Sequence, residues 1–94
     1  MIAILAKIPV KPGSEADFEK AMLAMAEQVR ANEPGNKLYT LCKDGDGAYT
    51  MMELYDDAAA VEAHRTSDHF KAGGASLGPF IAGAPEITTM EVLG

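Results

Sequence analysis

An α+β fold with the element order β-α-β-β-α-β is predicted by three features of this 94-residue chain. The opening segment alternates with period two, a stripe of apolar residues at helical spacing follows it, and a Gly/Asp-rich turn joins two strand-like runs in the middle.

Residues 2–10 set Ile2, Ile4, Ala6, Ile8 and Val10 on one face and Ala3, Leu5 and Lys7 on the other, so the first strand is apolar on both sides. Lys11-Pro12-Gly13 turns the chain. Ser14 with Asp17 reads as a helix N-cap, and Glu15 and Asp17 place negative charge where the helix dipole favours it. Phe18, Met22, Met25 and Val29, with Ala21 and Ala26, form one stripe able to pack on a sheet; Glu19, Lys20, Glu27 and Arg30 face water. Pro34-Gly35 stops this helix. Strands over 37–43 and 48–55 are joined by Asp44-Gly45-Asp46-Gly47, whose residues tolerate positive φ. Asp56 or Asp57 caps a short helix over 58–65, and Ser67 caps a further helical turn from Asp68, so the helix is broken near Thr66. Gly73, Gly74, Gly78, Pro79 and Gly83 interrupt Leu77, Phe80 and Ile81, predicting a mobile apolar segment able to close as a lid before a last strand over 86–93.

This order is the split-βαβ, ferredoxin-like arrangement, with two helices on one face of a four-stranded antiparallel sheet and a single domain over 1–94. The other face is left over. Both alternating residue sets of the strands carry apolar side chains (Tyr49, Met51 and Tyr55 against Met52 and Leu54), so a homodimer packed sheet to sheet is expected.

Composition narrows the partners. A net charge of −6 with no cluster of Lys or Arg argues against nucleic acid. The opening MIAILAKIPV is too short and too regularly alternating for a signal peptide or membrane span, and the lone Cys42 reads as a small strand residue. A cytoplasmic protein without membrane contact is therefore expected. No phosphate loop, nucleophile elbow or dinucleotide fingerprint is present, so no cofactor is expected.

Chemistry near neutral pH has few places to sit apart from His64 and His69. His64 falls near a helix end, where the dipole favours the charged ring, and His69 in a first turn, where it does not; the two are expected to titrate apart. They read either as a base and its partner or as braces of a helix junction. A spacing of i, i+5 across a broken helix is not metal-ligand spacing, so no metal is expected. Glu53 lies mid-strand among apolar neighbours and needs a partner or a cleft; beside a histidine it could orient the ring. Tyr39, Tyr49 and Tyr55 read first as packing residues, with hydroxyls able to bond a phenolic or carbonyl oxygen.

The segment from Glu33 to Phe70 carries a resemblance. Its Glu-Pro-Gly turn, the hairpin ending Met52-Glu53-Leu54-Tyr55, then Ala63-His64 and Ser67-Asp68-His69-Phe70 resemble the antibiotic biosynthesis monooxygenase family of small dimeric α+β proteins. The resemblance implies a dimeric α/β barrel and cofactor-independent oxidation of a small phenolic, quinol or polyketide-like substrate by dioxygen. On that reading His69 is the base, His64 a donor to developing oxyanion charge and Glu53 the orienter, while Phe18, Met22, Tyr39, Phe70 and Phe80 bind a small aromatic or oxygenated metabolite. Haem-degrading relatives fit poorly, since the chain has no Trp and has Gly73-Gly74 where their axial histidine would fall. Other relatives isomerise or only bind small metabolites, so a non-catalytic or stress-associated dimer, or an isomerase, is the alternative.

Overall fold

The apolar stripe of the first helix decides the layering, because it can be buried only against a sheet face of matching character. The computed structural model describes residues 1–94 and gives the order β1 (Ile2–Ile8), α1 (Glu15–Asn32), β2 (Asn36–Lys43), β3 (Tyr49–Tyr55), α2 (Ala58–Thr66), α3 (Asp68–Leu77), a 3₁₀ turn (Gly78–Phe80) and β4 (Glu86–Glu91). All strand pairs are antiparallel and the sheet order is β2-β3-β1-β4, the ferredoxin-like arrangement expected from the sequence.

Register separates the two sheet faces. Tyr39, Glu53, Ile4 and Thr89 form one cross-strand row, and Leu41, Met51, Ala6 and Ile87 the next. Phe18, Met22, Met25, Ala26 and Val29 of α1 pack on this face and complete a core with Met51, Tyr39, Tyr49 and Leu77. On the opposite face the rows are Leu38, Leu54, Ala3 and Met90, then Thr40, Met52, Leu5 and Thr88. Nothing covers them in the single chain, and Leu38, Met52 and Met90 are exposed. No helix is long and apolar enough to cross a membrane.

Several local expectations change. β1 stops at Ile8 because Pro9 has no N–H to give the ladder, and Val10 makes only an isolated bridge to Ile81. Ser14 makes no side-chain cap; instead Glu15 Oε1 accepts from Gly13 N–H at 2.8 Å. The hairpin turn does use its acidic residue: Asp44 Oδ1 accepts from Asp46 and Ala48 N–H at 2.9 and 3.0 Å, and Gly47 takes φ +83°.

The largest change concerns the glycines after Ala72. Gly73 and Gly74 do not break the chain but lie inside α3. A Cβ on Gly73 would sit 2.0 Å from Met25 Cε, so glycine here lets α3 lie close against α1. Nor is the following segment loose. Lys11 N–H bonds Phe80 O at 2.8 Å and Ala82 N–H bonds Pro9 O at 2.9 Å, tying it to the end of β1.

Candidate functional site

The site is assembled by two chain reversals. At the first, Glu33 caps the C-terminus of α1, its N–H bonded to Val29 O, and Pro34-Gly35 turns the chain toward β2. Gly35 then packs under α2 so closely that a Cβ there would meet Ala60 Cβ at 2.6 Å. The second reversal is Ser67, which ends α2 and starts α3. Its hydroxyl donates to His64 O at 2.7 Å and accepts from Phe70 N–H at 3.2 Å. The sharp junction points His64, from the end of one helix, and His69, from the start of the next, at the same place.

That place is the Glu33 carboxylate. His64 Nδ1 lies 2.9 Å from Oε2 and 3.1 Å from Oε1, and His69 Nε2 bonds Oε2 as well. With Glu33 ionised, each of these ring nitrogens carries the hydrogen and donates it. The group is buried, with side-chain exposures of 5% for His64, 7% for Glu33 and 15% for His69. Rings of Tyr39, Tyr55 and Phe70 surround His64 at centroid distances of 5.3, 5.5 and 4.7 Å.

Beside this group, between α1, α3 and the sheet, lies a cavity of about 190 Å³ walled by Met22, Met25, Tyr39, Met51, Phe70, Leu77 and Ile87. Glu53 is its one carboxylate. Glu53 Oε1 accepts from the Tyr55 hydroxyl at 2.6 Å, leaving Oε2 without a bond from the chain. Burial raises the Glu53 pKa above the ordinary carboxylate value, more than the Tyr55 bond lowers it. Burial likewise raises the Tyr39 and Tyr55 hydroxyls, which stay protonated donors. Tyr39 donates only to Met25 Sδ, at 3.4 Å. A larger groove of about 780 Å³ runs outside, between α1 and α3, but Asp17, Lys20 and Glu27 edge it and it lies open, so it cannot exclude water.

The sequence-derived site residues are thus divided. Met22, Tyr39, Phe70 and Glu53 share the cavity. Phe80 and His69 line the outer groove instead, and His64 stands behind the Tyr39 and Tyr55 rings. Phe18 lines neither space: it is fully buried and packs on Tyr49 at 4.8 Å. Tyr49 in turn bonds Glu19, which raises the Tyr49 pKa to about 12. Glu53, expected to orient a histidine, bonds Tyr55, and the carboxylate bonded to both imidazoles is that of Glu33 at the end of α1. Glu33 also carries a signal in the sequence. An acidic residue at a helix C-terminus opposes the dipole and calls for a cationic or hydrogen-bonding partner.

The model of the antibiotic biosynthesis monooxygenase family matches residues 1–75. A Bacillus subtilis (strain 168) protein named "Putative monooxygenase YcnE" is 31% identical over 87 residues, which cover 90% of each chain. The crystal structure of "a putative antibiotic biosynthesis monooxygenase" from Caulobacter crescentus CB15 is 40% identical, covers 99% of this chain and 90% of its own, and superimposes with a TM-score of 0.94. A conserved protein from Methanosarcina mazei Go1, 26% identical, covers 95% of this chain and 89% of its own with a TM-score of 0.87. The span matched by the family model runs from β1 into α3 and includes Glu33, His64 and His69. The chain belongs to the antibiotic biosynthesis monooxygenase family.

Proposed function

We propose that the chain is a cofactor-independent monooxygenase that oxidises a single-ring phenol or hydroquinone with dioxygen inside the cavity between α1 and α3. One observation carries this reading: an apolar pocket holds the Glu53 carboxyl and the Tyr39 hydroxyl and little else that is polar. Its volume, about 190 Å³, suits one substituted ring, given that an apolar cavity of about 150 Å³ holds benzene in another protein.

The chemistry asks little of the protein. Glu53 Oε2 takes the substrate's phenolic proton, and burial makes this carboxylate a stronger base than an exposed one. Tyr39 then moves its hydrogen bond from the Met25 thioether, a weak acceptor, to the phenolate oxygen. The electron-rich ring carbon adds dioxygen to form a hydroperoxide. Its O–O bond breaks with loss of water, and one oxygen atom stays on the ring as a carbonyl. Water exclusion by the Met and Phe70 walls protects the intermediate. Glu33, His64 and His69 act here as positioning residues, since His64 backs the rings of Tyr39 and Tyr55.

An oxygen electrode with a panel of hydroquinones, catechols and larger anthrones tests the reading. Single-ring substrates should consume dioxygen in wild type, also after exhaustive chelation. No uptake by any member, with a ligand nevertheless bound, would make the chain a binding protein. Turnover lost in His69→Ala but kept in Glu53→Gln would return the base to His69.

The same reading includes a homodimer that covers the Leu38-Leu54-Ala3-Met90 and Thr40-Met52-Leu5-Thr88 rows, an apolar surface poorly matched to water. Sedimentation at micromolar concentration should give twice the 9.9 kDa chain mass. Met52→Lys should shift it toward monomer.

A further inference from the structure

We propose that Glu33, His64 and His69 form a binding site for one divalent transition-metal ion of the zinc, cobalt or ferrous class. The sequence spacing of the two histidines argued against this only because the third group lies 31 residues upstream of His64, at the end of α1. In the fold, one atom from each side chain lies within 4.8 Å of the others. An ion bonded to imidazole nitrogen and carboxylate oxygen at about 2.0–2.2 Å holds such atoms roughly 3.3–3.5 Å apart. Side-chain rotations of an ångström or less connect the two arrangements.

The bonding within the group gathers its candidate ligand atoms at one carboxylate oxygen. Two donors would be best served by the two separate oxygens of the carboxylate. Instead both ring nitrogens converge on Oε2, and Oε1 receives only the longer 3.1 Å approach of the same His64 nitrogen. The two nitrogens and Oε2 thus form one compact cluster, small enough to close around a single ion once the atoms separate slightly. Metal binding would move each imidazole hydrogen to the far ring nitrogen and turn both near nitrogens into ligands. The three side chains are also held in place before any ion arrives, by the close approach of Gly35 to Ala60 and by the double hydrogen bond of Ser67.

Ligand type and access narrow the metal. Two imidazoles with a single carboxylate suit first-row transition ions and do not suit calcium or magnesium, which need more oxygen ligands. Three protein ligands leave at least one position open. An opening of about 180 Å³ lined by Asn32, Pro34, Asn36, Ser67 and His69 reaches the site from solvent, giving the ion an entry path and the open position a water. The proposal is independent of the oxygen chemistry assigned to the cavity.

Tag-free, chelator-treated protein titrated with Co(II) tests it. Wild type should bind one equivalent per chain, with visible d–d bands of a four- or five-coordinate nitrogen and oxygen field and with paramagnetically shifted imidazole resonances from both histidines. Zn(II) should displace the Co(II) and bleach the bands. Glu33→Gln and His69→Gln should each weaken binding by about tenfold or more, since loss even of an outer-shell partner has that effect. Glu62→Gln, an exposed carboxylate outside the group, should change nothing. Pale octahedral Co(II) bound alike by every variant would mean an adventitious ion only and would overturn the proposal. Should Glu33→Gln fail to fold, the imidazole shifts in wild type still decide: their absence at saturating Co(II) overturns it.

Discussion

Glu33 and Glu53 are nearly equally buried, at 9% and 8% exposure, yet their surroundings give them opposite tasks. Glu33 has both oxygens engaged by imidazole nitrogens and lines only the small opening beside Asn36 and Ser67; Glu53 gives one oxygen to Tyr55, keeps the other free of any bond from the chain, and lines the apolar cavity. On the proposed reading, burial alone does not make a carboxylate a base. What distinguishes them is whether an acceptor oxygen is left over, and for what. If the comparison holds, substitutions at the two positions should separate turnover from stability.

The largest expected effect is on turnover at Glu53. Glu53→Gln keeps an amide oxygen to accept the Tyr55 hydrogen bond, so the fold should persist, while loss of the base lowers kcat by about 10²–10⁴. Steady-state oxygen uptake measures it. A kcat within a factor of three of wild type, at unchanged melting temperature, would break the comparison on its catalytic side.

The next effect belongs to Glu33 and is one of stability. Glu33→Ala leaves two buried ring nitrogens without their acceptor, and an unsatisfied buried group costs about 1–3 kcal/mol, so a loss of about 2–4 kcal/mol is expected. Urea unfolding of chelator-treated protein reads it directly. A smaller effect should come from Gly35→Ala. Its Cβ would fall 2.6 Å from Ala60 Cβ, and Ala60 belongs to a rigid helix and cannot swing aside. Overpacking of this kind costs about 1–3 kcal/mol and would push α2, with His64, away from Glu33. A fully stable Gly35→Ala with unchanged His64 resonances would show that the close approach does not position the group.

How much of this was legible in the sequence differs between the sheet and the site. Periodicity decided the strands, α1 and the ferredoxin-like order, because the core rows repeat every second residue on strands and every third or fourth on α1. It failed at Gly73 and Gly74, which read as breakers. Their role, room for Met25, depends on a tertiary contact that no local pattern records. The histidines were visible as a pair, and Ser67 as the cap that aims them. Their partner was not, since Glu33 is far off in sequence and looked like the last residue before a stop. Phe18 misled for the opposite reason: the stripe on α1 shows which side chains turn inward, but not which of them meet a void and which, like Phe18 on Tyr49, meet another ring.

The smallest effect, and the one that sharpens the comparison most, is the pH dependence of stability at Glu53. Its folded-state pKa is raised, chiefly by burial, above the value near 4.5 that it has when exposed. Between those two values the folded chain holds a proton that the unfolded chain has released, so stability must fall as pH rises through that window. Below 4.5 both states are protonated and the penalty is absent. Above the folded pKa the penalty is complete and constant. Gln is neutral throughout and escapes it. The melting temperature of Glu53→Gln minus that of wild type should therefore grow from about pH 4.5 upward and then level off, with a slope equivalent to at most about 1.4 kcal/mol per pH unit for one group. Glu19 works in the other sense: its bond from Tyr49 and its pairing with Lys43 depress its pKa, giving stability that is lost as pH falls. Glu19 is common to both proteins and cancels in the difference. A difference that stays flat from pH 4 to 8 would mean that Glu53 carries no desolvation penalty, and with it would go the argument that burial makes this carboxylate a stronger base than an exposed one.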